Sequence, residues 1–253
     1  MSYGIDISTS GVLTSLHRQD VLTSNLANLN TVGYKPLIPD VKQRDVARLE
    51  DNVLHLPSDR LLEKLGAGVV PAASRIGFGQ GPIDQTGNDL DVAIEGDGFL
   101  AVRDGDATSL TRDGRLTLNS DGHLALASSG HLVLGASGPI SIPRGARVAI
   151  AHDGTISANG APIDTLRLVD VPDRQRLVKK GDGLFDTGNL AAAALTPGSG
   201  RIIQGAVEGS AVSEIEMMMQ VQSAAKAVGS NIGVISYHDR MIERAINTFA
   251  RTG

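Results

Sequence analysis

The chain has no cysteine and no tryptophan, and only 4 Phe and 3 Tyr among 253 residues. Without cysteine there is no disulfide framework, no thiolate nucleophile and no metal site built on sulfur. So few aromatic side chains argue against a deep enzyme pocket, whose walls usually draw on them. Basic residues are not in excess. The formal net charge is −5, with no basic concentration to attract a phosphate backbone, so nucleic acid is not an expected partner. The longest apolar run, Leu190 to Leu195, is mostly alanine and far short of the roughly 20 residues that a membrane helix needs. The first twenty residues hold neither a basic leading segment nor a continuous apolar run, and Asp6 interrupts what apolarity there is. No cleaved secretory signal is expected, and a route out of the cytoplasm would have to read something else. The six histidines (17, 55, 123, 131, 152, 238) show no close ligand spacing, so no metal site or cofactor is expected.

What is present is 41% apolar residues, enough for a folded core, and 30 glycines. Near the C-terminus Met218, Val221, Ala225, Val228, Ile232, Ile235, Asp239, Ile242, Ile246 and Phe249 alternate spacings of three and four. That is the seam of a long helix built to lie against other helices. At the other end Ile5, Val12, Leu16, Leu22, Leu26 and Leu29 fit one helical stripe, with Ser8, Ser15 and Gln19 between them. The stripe stops in Asn28-Leu29-Asn30-Thr31-Val32-Gly33, residues that tolerate left-handed backbone and bond their own main chain. Pro36 firms the stop by disfavouring helix at Lys35.

Between the helices the pattern changes twice. In 36–87, Val41 to Leu49 suits a helix or an extended arm, and Ser58 to Leu65 reads as a short helix after Pro57, ended by Gly66. From 88 to 190 short alternating runs such as Leu116-Leu118, Leu124-Leu126 and Val148-Ile150 lie between turn signals. Asp-Gly occurs six times, at 97/98, 104/105, 113/114, 121/122, 153/154 and 182/183, and Asn159-Gly160 adds a related pair. Such pairs suit two-residue hairpins, whose turn residues need positive φ. The expected fold is therefore α+β: an antiparallel hairpin domain (88–190), an N-terminal helix (1–35) and a C-terminal helix (208–253) pairing as a coiled-coil-like layer, a connector (36–87) and a return linker (191–207). With no long helix in the middle of the chain, the terminal stripes are expected to find cover on each other and on further copies, and to become ordered only on assembly.

Several fragments resemble chemistry. Ser223-Ala224-Ala225-Lys226 matches S-x-x-K of acyl-serine enzymes, but no Ser-Asp-Asn or Lys-Thr-Gly element accompanies it. Asp104-Gly105-Asp106 begins like a calcium loop, yet Ser109 and Arg115 stand where glycine and the bidentate acid belong. Gly77-Phe78-Gly79-Gln80-Gly81 lacks the spacing of a phosphate loop and reads as a hinge. No catalytic residue is assigned. Gly229 and Gly233 each cost about 1 kcal/mol of helix propensity, which close helix approach would offset, with Ser230 and Asn231 beside them; a local kink is the alternative.

Three blocks then carry a resemblance. Ser24-Asn25-Leu26-Ala27-Asn28-Leu29-Asn30-Thr31-Val32-Gly33-Tyr34-Lys35 resembles the N-terminal signature of bacterial flagellar rod, hook and hook-associated proteins. Leu90 to Phe99, followed by Thr111-Arg112-Asp113-Gly114 and Leu118 to Gly122, resembles the start of their β-domain. Gln204 to Val212 is similar to the lead-in to their C-terminal helix. In length and single β-domain the chain looks most like the basal-body rod proteins, of distal (FlgG) or proximal (FlgF) type. Gly68-Val69-Val70-Pro71 and Gly79-Gln80-Gly81 lean toward the distal type. Two departures, Ala211 in place of the usual asparagine and Gln222-Ser223-Ala224-Ala225 in place of a Gln-Arg-aromatic stretch, leave the rod position open.

The resemblance implies a structural subunit, not an enzyme, located in the basal-body rod within the periplasmic space. Its implied partners are copies of itself in a hollow helical rod, other rod and hook proteins, and the flagellar type III export apparatus. The implied inner layer sets Val12, Leu16, Leu22 and Leu26 against Val221, Val228, Ile232, Ile235 and Ile242, with Leu29, Met218, Ala225, Ile246 and Phe249 as further assembly residues. Alternatives are a short hook-type axial protein, and a β-domain enzyme or carbohydrate-binding module with an oligomerising helix.

Overall fold

The computed structural model describes residues 3–46, 49, 66–105, 107–187 and 195–249. The short helix expected over 58–65 lies outside them. The chain divides into two compact units, one of 1–27, 37–75 and 213–253, the other of 28–36 and 76–212.

The first unit is helical with a ribbon. Helix α1 spans Tyr3–Ala27 and helix α2 spans Glu214–Phe249. Ser213 and Glu216 have the capping-box spacing at the start of α2, and Glu214 and Glu216 complement the positive end of its dipole. The helices pack antiparallel and close. A Cβ on Gly4 would stand 2.9 Å from His238 Nε2, and one on Gly11 would stand 3.0 Å from Asn231 Nδ2. Ser8 and Ser10 are buried on α1 and return their hydroxyls to the carbonyls of Gly4 and Ile7, each at 2.8 Å, so small polar side chains are absorbed without loss. Strands β1 (Leu37–Gln43) and β2 (Val69–Ile76) pair in a two-stranded ribbon. Val69 N donates to Ser10 Oγ at 3.3 Å and ties the ribbon to α1. Val41 to Gln43, open to either reading in the sequence, are extended.

The covered stripe of α2 differs from the one read in the sequence. Val221, Ala224, Val228, Asn231, Ile235 and His238 are buried or half-buried, again at three-four spacing. Of the sequence ladder, Val221, Val228 and Ile235 belong to this stripe. Met218, Ala225, Ile232, Ile242 and Ile246 are exposed, Ile246 at 62%, and the side chain of Phe249 lies outside the described residues. On α1, Leu22 is buried, Val12 and Leu26 are half-buried, and Leu16 is exposed. Of the expected layer, Leu16, Ile232 and Ile242 are thus left uncovered within one chain. The physical reason is that the apolar residues of α2 spread wider around the helix than the stripe α1 covers, and that Ile242 and Ile246, in line with that stripe, lie beyond the start of α1. Moreover, α1 begins opposite His238, so the last eleven residues of α2 run on past it for about 16 Å at 1.5 Å per residue, with 239–248 exposed throughout.

The terminal stripes meet each other within the chain, α1 against the Val221-to-His238 stripe of α2. One further expectation changes. Gly229 and Gly233 are not the close-approach glycines; Gly4 and Gly11 are, whereas a Cβ at 229 or 233 meets nothing within 4 Å. Replacing Gly229 and Gly233 with alanine is accordingly expected to stabilise the isolated chain by about 1 kcal/mol each, read as a higher midpoint in urea. Loss of motility in the same stabilised variant would show that another subunit uses the space.

The second unit is all antiparallel. Its nine-stranded sheet runs β14-β15-β6-β5-β9-β8-β7, with β13 (Leu168–Asp170) on β5 (Phe99–Asp104) and β16 (Thr196–Pro197) on β13. Here β6 is Ala107–Thr111, β7 Leu116–Leu118, β8 Leu124–Leu126, β9 Leu132–Val133, β14 Val178–Lys179 and β15 Leu184–Asp186. A three-stranded sheet of β10 (Val148–Ile150), β11 (Thr155–Ala158) and β12 (Ala161–Thr165) adds to it. The inward residues of these runs, among them Leu100, Val102, Leu124, Leu126, Ile140 and Ile156, form one continuous core. The chain then returns to its own entrance. β17 (Arg201–Gln204) pairs with β4 (Val92–Glu95), and β18 (Ala206–Glu208) pairs with β3 (Ile83–Gln85). Entry and exit strands thus lie side by side.

The seven turn pairs do not all make two-residue hairpins. Only Asn159-Gly160 (φ 52 and 85) and Asp182-Gly183 (φ 62 and 72) hold both residues at positive φ, and the first joins β11 directly to β12. At Asp153-Gly154 the aspartate caps the turn instead, Asp153 Oδ1 accepting from Thr155 N at 2.9 Å, and at Asp121-Gly122 Asn119 Oδ1 does so, accepting from Asp121 N at 2.9 Å. Asp113-Gly114 is no turn tip: Asp113 is buried, and a Cβ on Gly114 would stand 1.6 Å from Val92 O.

Candidate functional site: the signature turn and its buried carboxylate

Asn25 sits near the end of α1 and is almost wholly buried. Its Nδ2 donates to Leu37 O at 2.7 Å and its Oδ1 accepts from Leu37 N at 2.8 Å. One amide side chain thereby satisfies both backbone groups of the first ribbon residue, which an ionised carboxylate, having no donor, cannot do. Asn25→Ala would leave the Leu37 backbone unpaired and is expected to lower the stability of the helix-and-ribbon unit by about 1–3 kcal/mol, measurable by urea unfolding followed through helical circular dichroism.

From Asn28 on, the signature belongs to the β unit. Thr31 Oγ1 bonds Asn28 Oδ1 at 3.1 Å and closes the turn. Gly33 has φ +67, donates its N–H to Glu208 O at 2.7 Å, and would place a Cβ 2.4 Å from the Arg112 backbone. Only glycine fits there. Tyr34 O accepts from Ala211 N at 3.0 Å, and Lys179 Nζ lies 3.7 Å from the centre of the Tyr34 ring.

Lys35 goes inward. It is 1% exposed, with Nζ 2.6 Å from Glu208 Oε1 and 2.7 Å from Gly79 O. Glu208 Oε1 also accepts from Gly81 N at 2.9 Å, and Oε2 accepts from Arg112 Nη1 at 2.9 Å. Arg112 in turn donates to Gly96 O at 2.8 Å and stacks over Phe99, 5.2 Å from the ring centre. Phe99 touches Phe78 and Phe185, so three of the four phenylalanines back this one cluster. Burial pushes the Lys35 ammonium below its ordinary value, with Glu208 opposing that shift and Arg112 reinforcing it. Two cations and one carboxylate are held together in a dry place, and every Glu208 oxygen is engaged.

This arrangement pins the signature turn to the end of β18, where the chain leaves the β unit. It is structural chemistry, without a nucleophile and base in mutual reach. Among the described residues no group of side chains is placed to hold a metal. Ser223 and Lys226 are both exposed on α2. The sequence reading assigned Lys35 and Gly33 to the signature but gave Arg112 and Glu208 no role. Glu208 carried a signal, being the one charged residue between Gln204 and Val212, whereas Arg112 stands beside Asp113 and Arg115 and carried none.

Against known proteins, residues 5–35 match the family described as flagella basal body rod protein, and 93–158 match the flagellar hook protein FlgE/F/G D1 domain. The flagellar basal-body rod protein FlgF of Caulobacter vibrioides is 31% identical over 235 residues, covering 90% of this chain and 91% of that protein. The chain belongs to the flagellar basal-body rod proteins. FlgF of Escherichia coli K12 is also 31% identical, over 97% of both chains, and FlgG of Bacillus subtilis 168 is 28% identical over 94% of this chain and 96% of that one. The signature turn and α1 of this rod protein fall within the first matched segment, and β4 to β11 fall within the second. No helix among its described residues is long and apolar enough to cross a membrane.

Proposed function

We propose that this rod-family chain is a non-catalytic subunit that polymerises through its terminal helices into a hollow shaft in the periplasmic space, transmitting torque between motor and hook. The carrying observation is the apolar surface that α2 leaves uncovered. Ile215, Met218, Met219, Ile232, Met241 and Ile246 are between 49% and 76% exposed, around a helix that α1 covers only along the Val221-to-His238 stripe. So much unpartnered apolar surface on one element marks an interaction site. Identical subunits meeting by a rotation that does not close give an open helical tube, and repeated burial at roughly 25 cal/mol per Å² would supply its stiffness. The other partners in this reading are further rod and hook proteins and the type III export apparatus, by which the chain would leave without a cleaved signal. FlgF-named relatives at 31%, 31%, 30% and 28% identity stand only slightly above FlgG-named ones at 28% and 27%, a small lean toward the proximal type.

Deletion of the gene tests this reading. Basal bodies isolated from the deletion strain should lack a complete rod, and a restored chain should co-purify with them and cross-link to neighbouring rod subunits. Complete, motile flagella in its absence would overturn it.

A further inference from the structure

We propose that the pocket between the signature turn and the β14–β15 hairpin receives an aspartate carboxylate from a second copy of this chain, with Lys179 as its counter-charge. The proposal rests on the assembly reading above for the presence of that copy.

The pocket has a volume of about 190 Å³ and lies wholly within the β unit, walled by Asn28, Thr31 and Tyr34 on one side and Lys179, Asp182 and Phe185 on the other. Sites for free small molecules usually measure roughly 300–1,000 Å³, so this one suits a single side chain better than a nucleotide or sugar. Three lysines reach its lining, and two are committed. Lys35 is bound to Glu208, and Lys180 pairs with Asp104. Lys179 is different. Its Nζ is shielded from water and has no hydrogen-bond partner, resting instead on the Tyr34 ring. A desolvated ammonium with only an aromatic face for company leaves three donors unused. Burial accordingly pushes its pKa down to about 8. The lysine stem is flexible, and rotation about its terminal bonds turns the ammonium from the ring toward the cavity.

What would satisfy it is an anion small enough to enter. The chain supplies candidates, since its net charge of −5 leaves acids in excess and Asp121 and Asp153 stand exposed on narrow Asp-Gly turns. A hairpin tip carrying one carboxylate matches a pocket of this size in shape and charge. The occupied state pairs an ammonium whose own desolvation is already incurred in the free chain, so only the incoming carboxylate must still be stripped of water when two copies meet.

Two measurements on the full chain test this. In the first, copies carrying ¹⁴N and ¹⁵N are mixed at a concentration where the chain self-associates and treated with a carbodiimide, which joins only an amine and a carboxylate already in contact. Mass spectrometry should find Lys179 joined to an aspartate of the other isotope, and Lys179→Met should remove that product while leaving others. In the second, N-acetyl-aspartate N-methylamide is titrated into the dilute chain with ¹³C-lysine. The Lys179 pKa should climb from about 8 toward the ordinary 10.5, and the asparagine analogue should leave it unmoved. Association without any Lys179 cross-link, or a Lys179 pKa indifferent to the aspartate probe, would overturn the pocket while leaving the rod assignment intact. Failure to associate under any condition would instead count against the assembly reading, and the probe titration would still decide the pocket.

Discussion

Glu208→Ala is expected to destabilise the β unit by about 3–5 kcal/mol, a large share of what a domain of this size has available. The substitution leaves Lys35 and Arg112, with side chains 1% and 4% exposed, facing each other with no anion between them. It also strips the Gly81 N–H of its acceptor. Lys35→Met should cost much less, because the Arg112–Glu208 pair survives and burial already disfavours the charged lysine. Urea unfolding of the two variants, followed by a probe in the β unit such as the Tyr34 environment, should rank them in that order. Equal and small effects would show that the cluster does not hold the signature turn in place.

Ile232→Asp and Val228→Asp should separate assembly from folding. Ile232 is 49% exposed, so an aspartate there meets water in the free chain and should leave its unfolding midpoint within about 0.5 kcal/mol of the parent. In the polymer the same charge would be buried without a partner, at several kcal/mol per subunit and repeated along the shaft. Motility and incorporation into basal bodies should be abolished. Val228 is half-buried in the stripe that faces α1, and its aspartate should open the helix pair in the isolated chain as well, visible as faster amide exchange in α1 and the first half of α2. If Ile232→Asp swims normally, the exposed face of α2 is not the assembly surface.

Much of the architecture could be read before any coordinates. The runs Leu116–Leu118, Leu124–Leu126 and Val148–Ile150 are strands where alternation placed them, because a half-buried strand writes its period into the chain locally. The end of α1 at Ala27 followed directly from the Asn28-to-Gly33 cluster and Pro36. Turn chemistry was legible only in part. Asp-Gly marks a reversal, but whether both residues take positive φ depends on how the flanking strands pair, and Asp113-Gly114 was claimed instead by close packing against Val92. The polar cluster was not legible. Lys35, Arg112 and Glu208 are separated by up to 173 residues, and nothing within any one segment says that three charges will meet.

The sequence by itself determined the hairpin character of the middle of the chain, the terminal position of two long amphipathic helices and, through the Ser24–Lys35 signature, the resemblance to flagellar axial proteins. It did not determine the β1–β2 ribbon, whose strands lack a clear period. Tertiary structure alone decided three things. It chose which residues of α2 are covered, since a three-four ladder reports that a helix has a seam without naming its neighbour, and Gly4 and Gly11 set the side of α1 that meets His238 and Asn231. It folded the exit strands β17 and β18 back onto β4 and β3, a long-range pairing whose register is set by burial on both partners at once. And it buried Glu208 between two cations, because a charge is tolerated inside a protein only where other parts of the chain arrive to neutralise it.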